Sequence, residues 1–196
     1  MSQRIKMSER HPEERNKDFN QVNLGYTKEQ AVIEAKRCLN CKNPLCVQGC
    51  PVEINIPGFI KQIAENNFSQ AISVLKEKNN LPAVCGRVCP QENQCEKFCI
   101  LGKKSQPIAI GNLERFTADW SRENIKDTNT SIKSNAVKIA VVGSGPAGLT
   151  CAGDLAKMGY DVTIFESLHD SGGVLRYGIP EFRLPCDVLD AEINSL

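Results

Sequence analysis

Two short segments of the chain contain eight of its ten cysteines. The first, CLNCKNPLCVQGCP, spans residues 38–51, and the second, CGRVCPQENQCEKFC, spans residues 85–99. Thiolates bind soft metals, and closely spaced cysteines can enclose a compact metal site while the loop between them supplies backbone N–H groups to the sulfurs. The pattern therefore indicates either a structural zinc ion in each segment or two iron–sulfur clusters shared by the eight thiols.

The spacing of the cysteines favours iron over zinc. Pro51 and Pro90 each follow a cysteine directly, as in the C-x2-C-x2-C-x3-C-P run of bacterial ferredoxins. The first segment departs from that run, since four residues separate its central cysteines, so the match is partial. Zinc clips usually pair two C-x2-C knuckles, and only Cys38 and Cys41 have that spacing here.

A glycine-rich motif later in the chain indicates nucleotide binding. Gly143, Gly145 and Gly148 of VVGSGPAG form the G-x-G-x-x-G pattern, which follows a predicted strand, opens a predicted helix and precedes a second strand that ends in Glu166. The first glycine permits a tight turn, the second lets the backbone approach a pyrophosphate, and the third lets the helix pack on the strand. Glu166 would accept hydrogen bonds from an adenosine ribose. The alternative is an ordinary glycine turn in a βαβ unit, and the motif does not distinguish FAD from NAD.

A glycine pair follows Glu166, in HDSGGVLRYGIPEFRLP. Gly172 and Gly173 would allow the backbone to approach another part of a dinucleotide, although a plain surface loop explains them almost as well. The candidate nucleotide-binding residues are Gly143, Gly145, Pro146, Ala147, Gly148, Glu166, Gly173, Leu175 and Arg176. A redox nucleotide in the same chain also favours iron–sulfur clusters, because a zinc module would not explain why a nucleotide-binding motif follows it.

Composition and charge narrow the class of protein. The chain has 196 residues, a formal net charge of +1 and a pI near 7.5, so its bulk charge does not indicate a nucleic-acid or membrane partner. No apolar run reaches the roughly 18 residues of a membrane-spanning helix, and the polar N-terminus lacks the apolar core of a signal peptide. We therefore expect a cytoplasmic protein, whose thiols stay reduced and bind metal instead of forming disulfides.

The chain is predicted to have four parts. Residues 1–26 are expected to form an irregular or loosely docked arm, and residues 27–123 a helical, cysteine-rich domain. The polar residues 124–135 are expected to be a linker. Residues 136–196 are expected to begin an α/β domain with buried parallel strands.

Helix starts can be placed within the cysteine-rich domain. Thr27 and Gln30 form a predicted capping box for a helix that leads to the first cysteine segment. Pro57 suits the first turn of a second helix, and Ser69 is a predicted cap for a third. The second and third helices are expected to form a hairpin between the two cysteine segments.

Taken together, these segments resemble the small (beta) subunit of NADPH-dependent glutamate synthase and its relatives, among them the N-terminal part of dihydropyrimidine dehydrogenase and the large subunit of NADH-dependent ferredoxin:NADP oxidoreductase. The matching stretches are CLNCKNPLCVQGCPVEINIPGFI, LPAVCGRVCPQENQCEKFC, IAIGNLERF, VVGSGPAGL and GGVLRYGIPEFRLP, which span most of residues 38–185. The resemblance implies an α-helical, ferredoxin-like domain with two [4Fe-4S] clusters, followed by the start of an α/β Rossmann-type FAD domain. It also implies an N-terminal fragment of a longer polypeptide, with the NADPH site outside this chain.

The resemblance also implies the metal ligands. One cluster would be bound by Cys38, Cys41, Cys46 and Cys99, and the other by Cys50, Cys89, Cys95 and Glu114. The remaining cysteines, which would not be ligands, are Cys85, Cys151 and Cys186. The alternative for Glu114 is a surface carboxylate that pairs with Arg115 or Arg122.

The function implied by the resemblance is electron transfer. Electrons would pass from NADPH through FAD and the two clusters to a partner synthase subunit, which makes L-glutamate from L-glutamine and 2-oxoglutarate. No residue is expected to act as a catalytic acid, base or nucleophile, and the fragment alone is expected to be inactive. Two alternatives stay open: the homologous subunit of an NADH-dependent ferredoxin:NADP oxidoreductase or sulfide dehydrogenase, and, in another class, a zinc-stabilised interaction module.

Overall fold

The computed structural model describes residues 3–125 and 133–196, so most of the predicted linker lies outside the described residues. The elements before it are β1 (Ser8–Glu9), α1 (Pro12–Arg15), β2 (Asn23–Gly25), α2 (Lys28–Ala35), α3 (Leu45–Gln48), α4 (Ile56–Ala64), α5 (Phe68–Lys76), α6 (Pro82–Val88) and α7 (Ile110–Asn124), with 3-10 turns at Gln91–Asn93 and Ile100–Lys103. The elements after it are β3 (Lys138–Val142), α8 (Pro146–Lys157), β4 (Asp161–Phe165), α9 (Val174–Tyr177) and α10 (Cys186–Asn194). None of the helices in these described ranges combines the length and the apolar character needed to cross a membrane.

Helix α2 begins with the predicted capping box. The Thr27 hydroxyl accepts from the N–H of Gln30 at 3.3 Å, and the Gln30 side chain accepts from the N–H of Thr27 at 2.9 Å. Pro57 lies in the first turn of α4, also as predicted. Helix α5 begins two residues earlier than a cap at Ser69 requires, because Asn67 is its N-cap and Ser69 lies inside the first turn.

The core of the helical part lies between α4, α5 and α7. Phe59, Ile60 and Ile63 of α4 are almost fully buried, as are Leu75 of α5 and Leu113 of α7. Burying a side chain of this size contributes about 1.5–3 kcal/mol to the free energy of unfolding. These apolar positions recur at helical spacing, so each of the three helices has one buried face.

Helices α6 and α7 approach each other closely at a glycine. A Cβ atom added to Gly86 would lie 2.5 Å from the backbone nitrogen of Arg115, so a larger residue would force the helices apart. The contact brings Cys85, at the start of the second cysteine segment, next to Glu114 of α7. The packing therefore brings together two stretches that are distant in the sequence, and no spacing pattern in the sequence predicts their contact.

Residues 3–26 form a closely held arm instead of the loose one expected. Strands β1 and β2 pair in antiparallel fashion, and Arg4 pairs with Glu96 at 2.7 Å. The backbone N–H of Ile5 donates to the fully buried Glu34 carboxylate at 2.8 Å. A polar composition indicated weak docking, but the arm is fixed because charged acceptors of the helical part bond to its backbone and side chains.

Strands β3 and β4 form a parallel pair, in register from Lys138 opposite Asp161 to Val142 opposite Phe165. Helix α8 connects them, as predicted for a βαβ unit. The expectation of buried strands is wrong, because alternate residues are exposed, and the side chains of Val142 and Phe165 are 88% and 57% exposed. Helix α8 packs on one face of the pair, and the side chains that point the other way are the exposed ones.

The α/β part packs directly on α6. Glu192 of α10 accepts a hydrogen bond from the backbone N–H of Ala83 at 3.0 Å. The guanidinium of Arg183, in the segment between α9 and α10, donates to the carbonyl of Val88 at 3.3 Å. Because Cys89 directly follows α6, both contacts lie beside the second cysteine segment.

Candidate functional site

Four cysteines from distant parts of the chain line one cavity of about 60 Å³, and we call them the first group. They are Cys38, Cys41, Cys46 and Cys99. Cys38 follows α2, Cys46 lies in α3, and Cys99 precedes the second 3-10 turn. The apolar residues that complete the wall include Leu39, Leu45, Ile56, Ile60, Phe98 and Ile108. The fold thus brings together the four thiols that the resemblance places at one cluster.

The thiols of the first group are close enough to affect one another's ionisation. Burial, followed by the nearby Cys99 and Cys38, raises the pKa of Cys46 to about 11. Burial also raises the pKa of Cys38, and the neighbouring Cys99 and Cys41 add to that effect. Four thiolates in an apolar wall need a compensating cation, which a metal centre supplies. The donor set therefore fits a thiophilic metal centre such as an iron–sulfur cluster.

The second group consists of Cys50, Cys89, Cys95 and Glu114. Cys50 follows α3, Cys89 ends α6, and Glu114 lies near the start of α7. Burial is the first cause of the raised pKa of Cys95, and the charges of Glu96, Glu114 and Cys50 raise it further. Cys50, Cys95 and Glu114 are therefore neighbours, although they come from three separate parts of the sequence.

Glu114 is a buried carboxylate, with only 6% of its surface exposed. Its Oε1 accepts a hydrogen bond from the side-chain amide of Asn79 at 2.8 Å. Burial, followed by the charge of Cys85, holds the pKa of Glu114 well above its usual range. A carboxylate at this depth is costly to ionise unless it is paired or binds a metal, so its environment suits a metal ligand.

The alternative of a surface glutamate paired with an arginine is wrong. Arg115 pairs with Asp119 at 3.4 Å, and Arg122 pairs with Asp187 at 3.1 Å. Successive residues of a helix point in different directions, so Glu114 turns toward the second group while Arg115 turns toward the N-terminal arm.

Cys85 lies at the edge of the second group. Its thiol hydrogen-bonds with Cys89, which is the main cause of its raised pKa, and burial is the next. It also donates to the side-chain oxygen of Asn79, with a sulfur–oxygen distance of 3.7 Å. Cys85 is therefore a near neighbour of the second group, which its expected role as a non-ligand did not indicate.

Within residues 3–125 and 133–196, no three His, Cys, Asp or Glu side chains are grouped so as to hold a single metal ion. A four-iron cluster is wider than one ion, so its ligands stand farther apart than those of zinc.

The glycine-rich turn between β3 and α8 has the predicted geometry. Gly143 has a φ of +96°, and a Cβ atom on Gly148 would lie 2.0 Å from the carbonyl oxygen of Gly143. At Gly143 and Gly145 an added Cβ atom would meet no other atom within 4 Å, so the outer face of the turn is open. Pro146 and Ala147 form the exposed first turn of α8. Tight packing on one side and open space on the other fit a loop on which a pyrophosphate would lie.

Glu166 lies beside this turn, held by the serine between the glycines. One carboxylate oxygen accepts from the N–H and the hydroxyl of Ser144, and the other from the N–H of Leu168 at 2.9 Å. The hydrogen bond from the Ser144 hydroxyl is the main reason that the pKa of Glu166 is lowered to about 2. Ser144 is buried, and its hydroxyl also accepts from the N–H of Gly172 at 3.0 Å. Sequence analysis missed this residue, whose only signal is a hydroxyl between two of the motif's glycines.

The glycine pair packs directly on the glycine-rich turn. Gly172 and Gly173 have φ values of +122° and +52°, and a Cβ atom on Gly173 would lie 2.8 Å from Cα of Gly145. Leu175 is buried, and the guanidinium of Arg176 donates to the carboxylate of Asp190 and to the carbonyl of Ser171. The structure therefore brings Gly173 to the candidate nucleotide loop, while Leu175 and Arg176 make contacts within the protein.

Comparison with protein families agrees with this division of the chain. Residues 15–126 match the family described as dihydropyrimidine dehydrogenase domain II, 4Fe-4S cluster. Residues 141–187 match the family described as NAD(P)-binding Rossmann-like domain. The predicted fold class, a helical 4Fe-4S domain followed by the start of a Rossmann-type domain, is confirmed.

Similar proteins include subunits of two kinds of enzyme. The chain is 41% identical over 178 residues to the NAD-dependent dihydropyrimidine dehydrogenase subunit PreT of Escherichia coli K12, which covers 91% of this chain and 43% of that protein. It is 37% identical over 173 residues to the glutamate synthase [NADPH] small chain of the same organism, covering 88% of this chain and 37% of that one. It is 34% identical over 186 residues to the small chain of Azospirillum brasilense, covering 93% and 38%.

These matches confirm the resemblance drawn from the cysteine and glycine motifs, and the chain spans less than half the length of the relatives it matches. The first family match covers more than half of the chain and includes all eight clustered cysteines and Glu114. The chain therefore belongs to the family of dihydropyrimidine dehydrogenase domain II, 4Fe-4S cluster proteins.

Proposed function

We propose that this chain transfers electrons within an NAD(P)H-dependent oxidoreductase, from an FAD site in its α/β part, through two [4Fe-4S] clusters, to a partner subunit. One observation carries the proposal: the parts of the chain that hold the two candidate sites pack directly on each other. Arg183, which follows the glycine pair, donates to the carbonyl of Val88, next to Cys89, at 3.3 Å. Electron transfer slows steeply with distance, so cofactor sites on packed elements are the arrangement that this function needs.

Each proposed cofactor has a set of residues that suits it. The first group would bind one cluster and the second group the other, with Glu114 as the non-cysteine ligand. FAD would lie on the turn at Gly143 and Gly145, with its adenosine ribose near Glu166. When bound, these cofactors supply two-electron flavin chemistry and one-electron transfer. The NADPH site of this proposal lies outside the chain.

The chain's own residues would orient and screen these cofactors. Helix α8, which has 12 residues, directs its N-terminal N–H groups toward the open face of the glycine-rich turn, where a phosphate charge is favoured. Glu166 is ionised at neutral pH, because its pKa is about 2, and is therefore a strong acceptor for ribose hydroxyls. The apolar wall of the first group limits water around that site.

The partner subunit would dock where the first group reaches the surface. Four apolar side chains line that cavity and are also exposed, namely Leu39, Leu45, Phe98 and Ile100, at 59%, 38%, 47% and 46%. The flavin-side contacts lie instead at α6, beside the second group. Electrons would then enter at the second group and leave from the first. The relatives named as a small chain and as a subunit support a partner of this kind.

The partner decides the final substrate, and we propose the glutamate synthase role first. In that role the partner makes L-glutamate from L-glutamine and 2-oxoglutarate, with NADPH as the electron source, in the cytoplasm. The relatives named glutamate synthase [NADPH] small chain support it, at 34–37% identity. The second candidate is a subunit of an NAD-dependent dihydropyrimidine dehydrogenase, which the 41% identity to PreT favours.

Metal analysis after anaerobic, iron-replete purification tests the electron-transfer proposal. We expect about eight irons and eight sulfides per chain, with broad absorption near roughly 400 nm. Near-stoichiometric zinc without sulfide would overturn the proposal and support the zinc-stabilised module. Aerobic purification is avoided because oxygen destroys exposed clusters and zinc then enters the emptied thiolate sites.

A further inference from the structure

The side chain of Asn79 contacts both candidates for the fourth ligand of the second group. It lies in the connection between α5 and α6 and is 6% exposed. Its amide nitrogen donates to Oε1 of Glu114 at 2.8 Å, and its amide oxygen accepts from the thiol of Cys85 at 3.7 Å. The same oxygen accepts from the backbone N–H of Leu81 at 3.0 Å, which fixes the orientation of the amide just before α6 begins.

The second group has one ligand candidate too many for a four-iron cluster. Cys50, Cys89 and Cys95 supply three thiolates, and both Glu114 and Cys85 stand beside them. A thiolate is a softer ligand for iron than a carboxylate, so ligand chemistry alone favours Cys85. A carboxylate ligand therefore requires that the surrounding protein orients Glu114 and restrains Cys85.

One end of the Asn79 amide orients Glu114, and the other end restrains Cys85. Its N–H group holds one oxygen of the carboxylate, so the other oxygen of Glu114 is the one turned away from the amide. Its carbonyl oxygen holds the Cys85 thiol by a hydrogen bond directed toward Asn79. The amide cannot rotate to exchange these roles, because its oxygen also receives the Leu81 N–H.

We propose that Asn79 is a positioning residue that selects Glu114 instead of Cys85 as the fourth ligand of the second cluster. This inference rests on the proposed function, since it takes the second group to be a [4Fe-4S] site. It assigns no metal contact to Asn79 itself, whose role is exerted through the two residues it holds.

Two substitutions of Asn79 separate its two effects. Asn79→Asp keeps an oxygen that accepts from Leu81 and Cys85 but lacks the N–H group that orients Glu114. We expect it to resemble Glu114→Ala, with loss of about one iron per chain and the electron paramagnetic resonance signal of a three-iron cluster. Asn79→Ala releases Cys85 as well, and we expect it to keep all the iron while the midpoint potential and resonance spectrum of the second cluster change.

The matched control is Cys85→Ser, alone and combined with Asn79→Ala. The single substitution should leave the iron content and the four-iron spectrum as in the unaltered chain. The double substitution should lose about one iron per chain, because no thiolate is then available to replace Glu114. If Asn79 only stabilised the fold, its variants would change the unfolding temperature, but their iron content would not depend on whether Cys85 is present.

The inference is wrong if both Asn79 variants keep the spectrum and potential of the unaltered protein, or if adding Cys85→Ser leaves Asn79→Ala unchanged. Should Asn79→Ala fail to fold, Asn79→Ser retains a hydroxyl acceptor for the Leu81 N–H of the turn but lacks the amide that holds Glu114 and Cys85, and it is expected to show the same change as Asn79→Ala. Absence of iron and sulfide from the unaltered chain would instead overturn the proposed function, so the two failures are distinguishable.

Discussion

Glu192 accepts a hydrogen bond from the backbone N–H of Ala83 at 3.0 Å, which joins the helix after the nucleotide loops to the helix that directly precedes Cys89. Ala83 lies in the first turn of α6, where backbone N–H groups have no acceptor within the helix. A carboxylate on α10 therefore caps α6 across the boundary between the two parts of the chain. The contact is buried, since Glu192 is only 8% exposed.

Glu192 should make stability depend on pH. Burial raises its pKa to about 7, although the Ala83 N–H, Lys76 and Arg87 act in the opposite direction, and Asp119 raises it slightly further. A carboxyl group whose pKa is raised by folding contributes stability that is fully present below its ordinary pKa of 4.5. That contribution is lost as the pH rises through about 7, where the buried group must ionise.

The substitution Glu192→Gln tests this, because glutamine keeps an oxygen for the Ala83 N–H but does not ionise. We expect the variant to be more stable than the unaltered chain at about pH 8, by at most on the order of 3 kcal/mol, with little difference at about pH 4.5. Thermal unfolding at several pH values measures the effect. The control is Asp187→Asn, an exposed carboxylate on the same helix, and equal pH dependence in all three proteins would contradict the prediction.

The two kinds of cysteine should respond differently to replacement by serine. Cys46→Ser should lose about four irons per chain, because it removes one of the four thiols of the first group. The helical part should then unfold at a lower temperature, since metal binding and folding are coupled. Cys85→Ser should keep all the iron, and Cys151→Ser, an exposed thiol on α8, is the control. Equal iron loss in Cys46→Ser and Cys85→Ser would show that the ligand assignment is incorrect.

Glu114 should control one cluster and leave the other intact. Glu114→Ala should convert the second cluster to a three-iron form or lose it, because a buried metal position is left without its carboxylate. Glu114→Cys should keep four irons and shift the midpoint potential, since a thiolate replaces a harder ligand. Iron content and electron paramagnetic resonance report both effects. The control is Glu123→Ala, a change in the exposed last turn of the same helix, which should leave both measurements unaltered. If Glu114→Ala also left both measurements unaltered, the assignment of Glu114 as a ligand would be mistaken.

Ser144 should determine the ionisation of Glu166. Its hydroxyl is the main reason that the pKa of Glu166 is lowered to about 2, so Ser144→Ala should raise that pKa toward the ordinary value of 4.5. A nuclear magnetic resonance titration of the carboxyl carbon measures the shift directly. Ser167→Ala is the control, because its hydroxyl lies farther from the carboxylate, at 3.4 Å, and should change the pKa less. A larger effect of Ser167→Ala would mean that the hydrogen bonds are arranged differently.

Local sequence determined the features that depend on contacts within a few residues. The capping box of Thr27 and Gln30 forms as predicted, because its two hydrogen bonds join residues of one helical turn. Gly148 meets the carbonyl of Gly143 as the glycine motif requires, and the motif predicted the βαβ unit around it. Family membership was also predictable, since cysteine spacing is a property of the sequence itself.

Tertiary structure alone decided which distant groups share an environment. Cys99 lines the same cavity as Cys38 because α2, α3 and the second 3-10 turn converge there, and no local periodicity encodes that convergence. The burial of Glu114 depends on Gly86 letting α6 approach α7, and its hydrogen bond to Asn79 depends on where the hairpin ends. The close docking of the N-terminal arm has the same origin, because its charged acceptors lie far along the sequence. Local spacing therefore predicted which chemistry this protein carries, whereas long-range packing sets the environment of each side chain that would carry it.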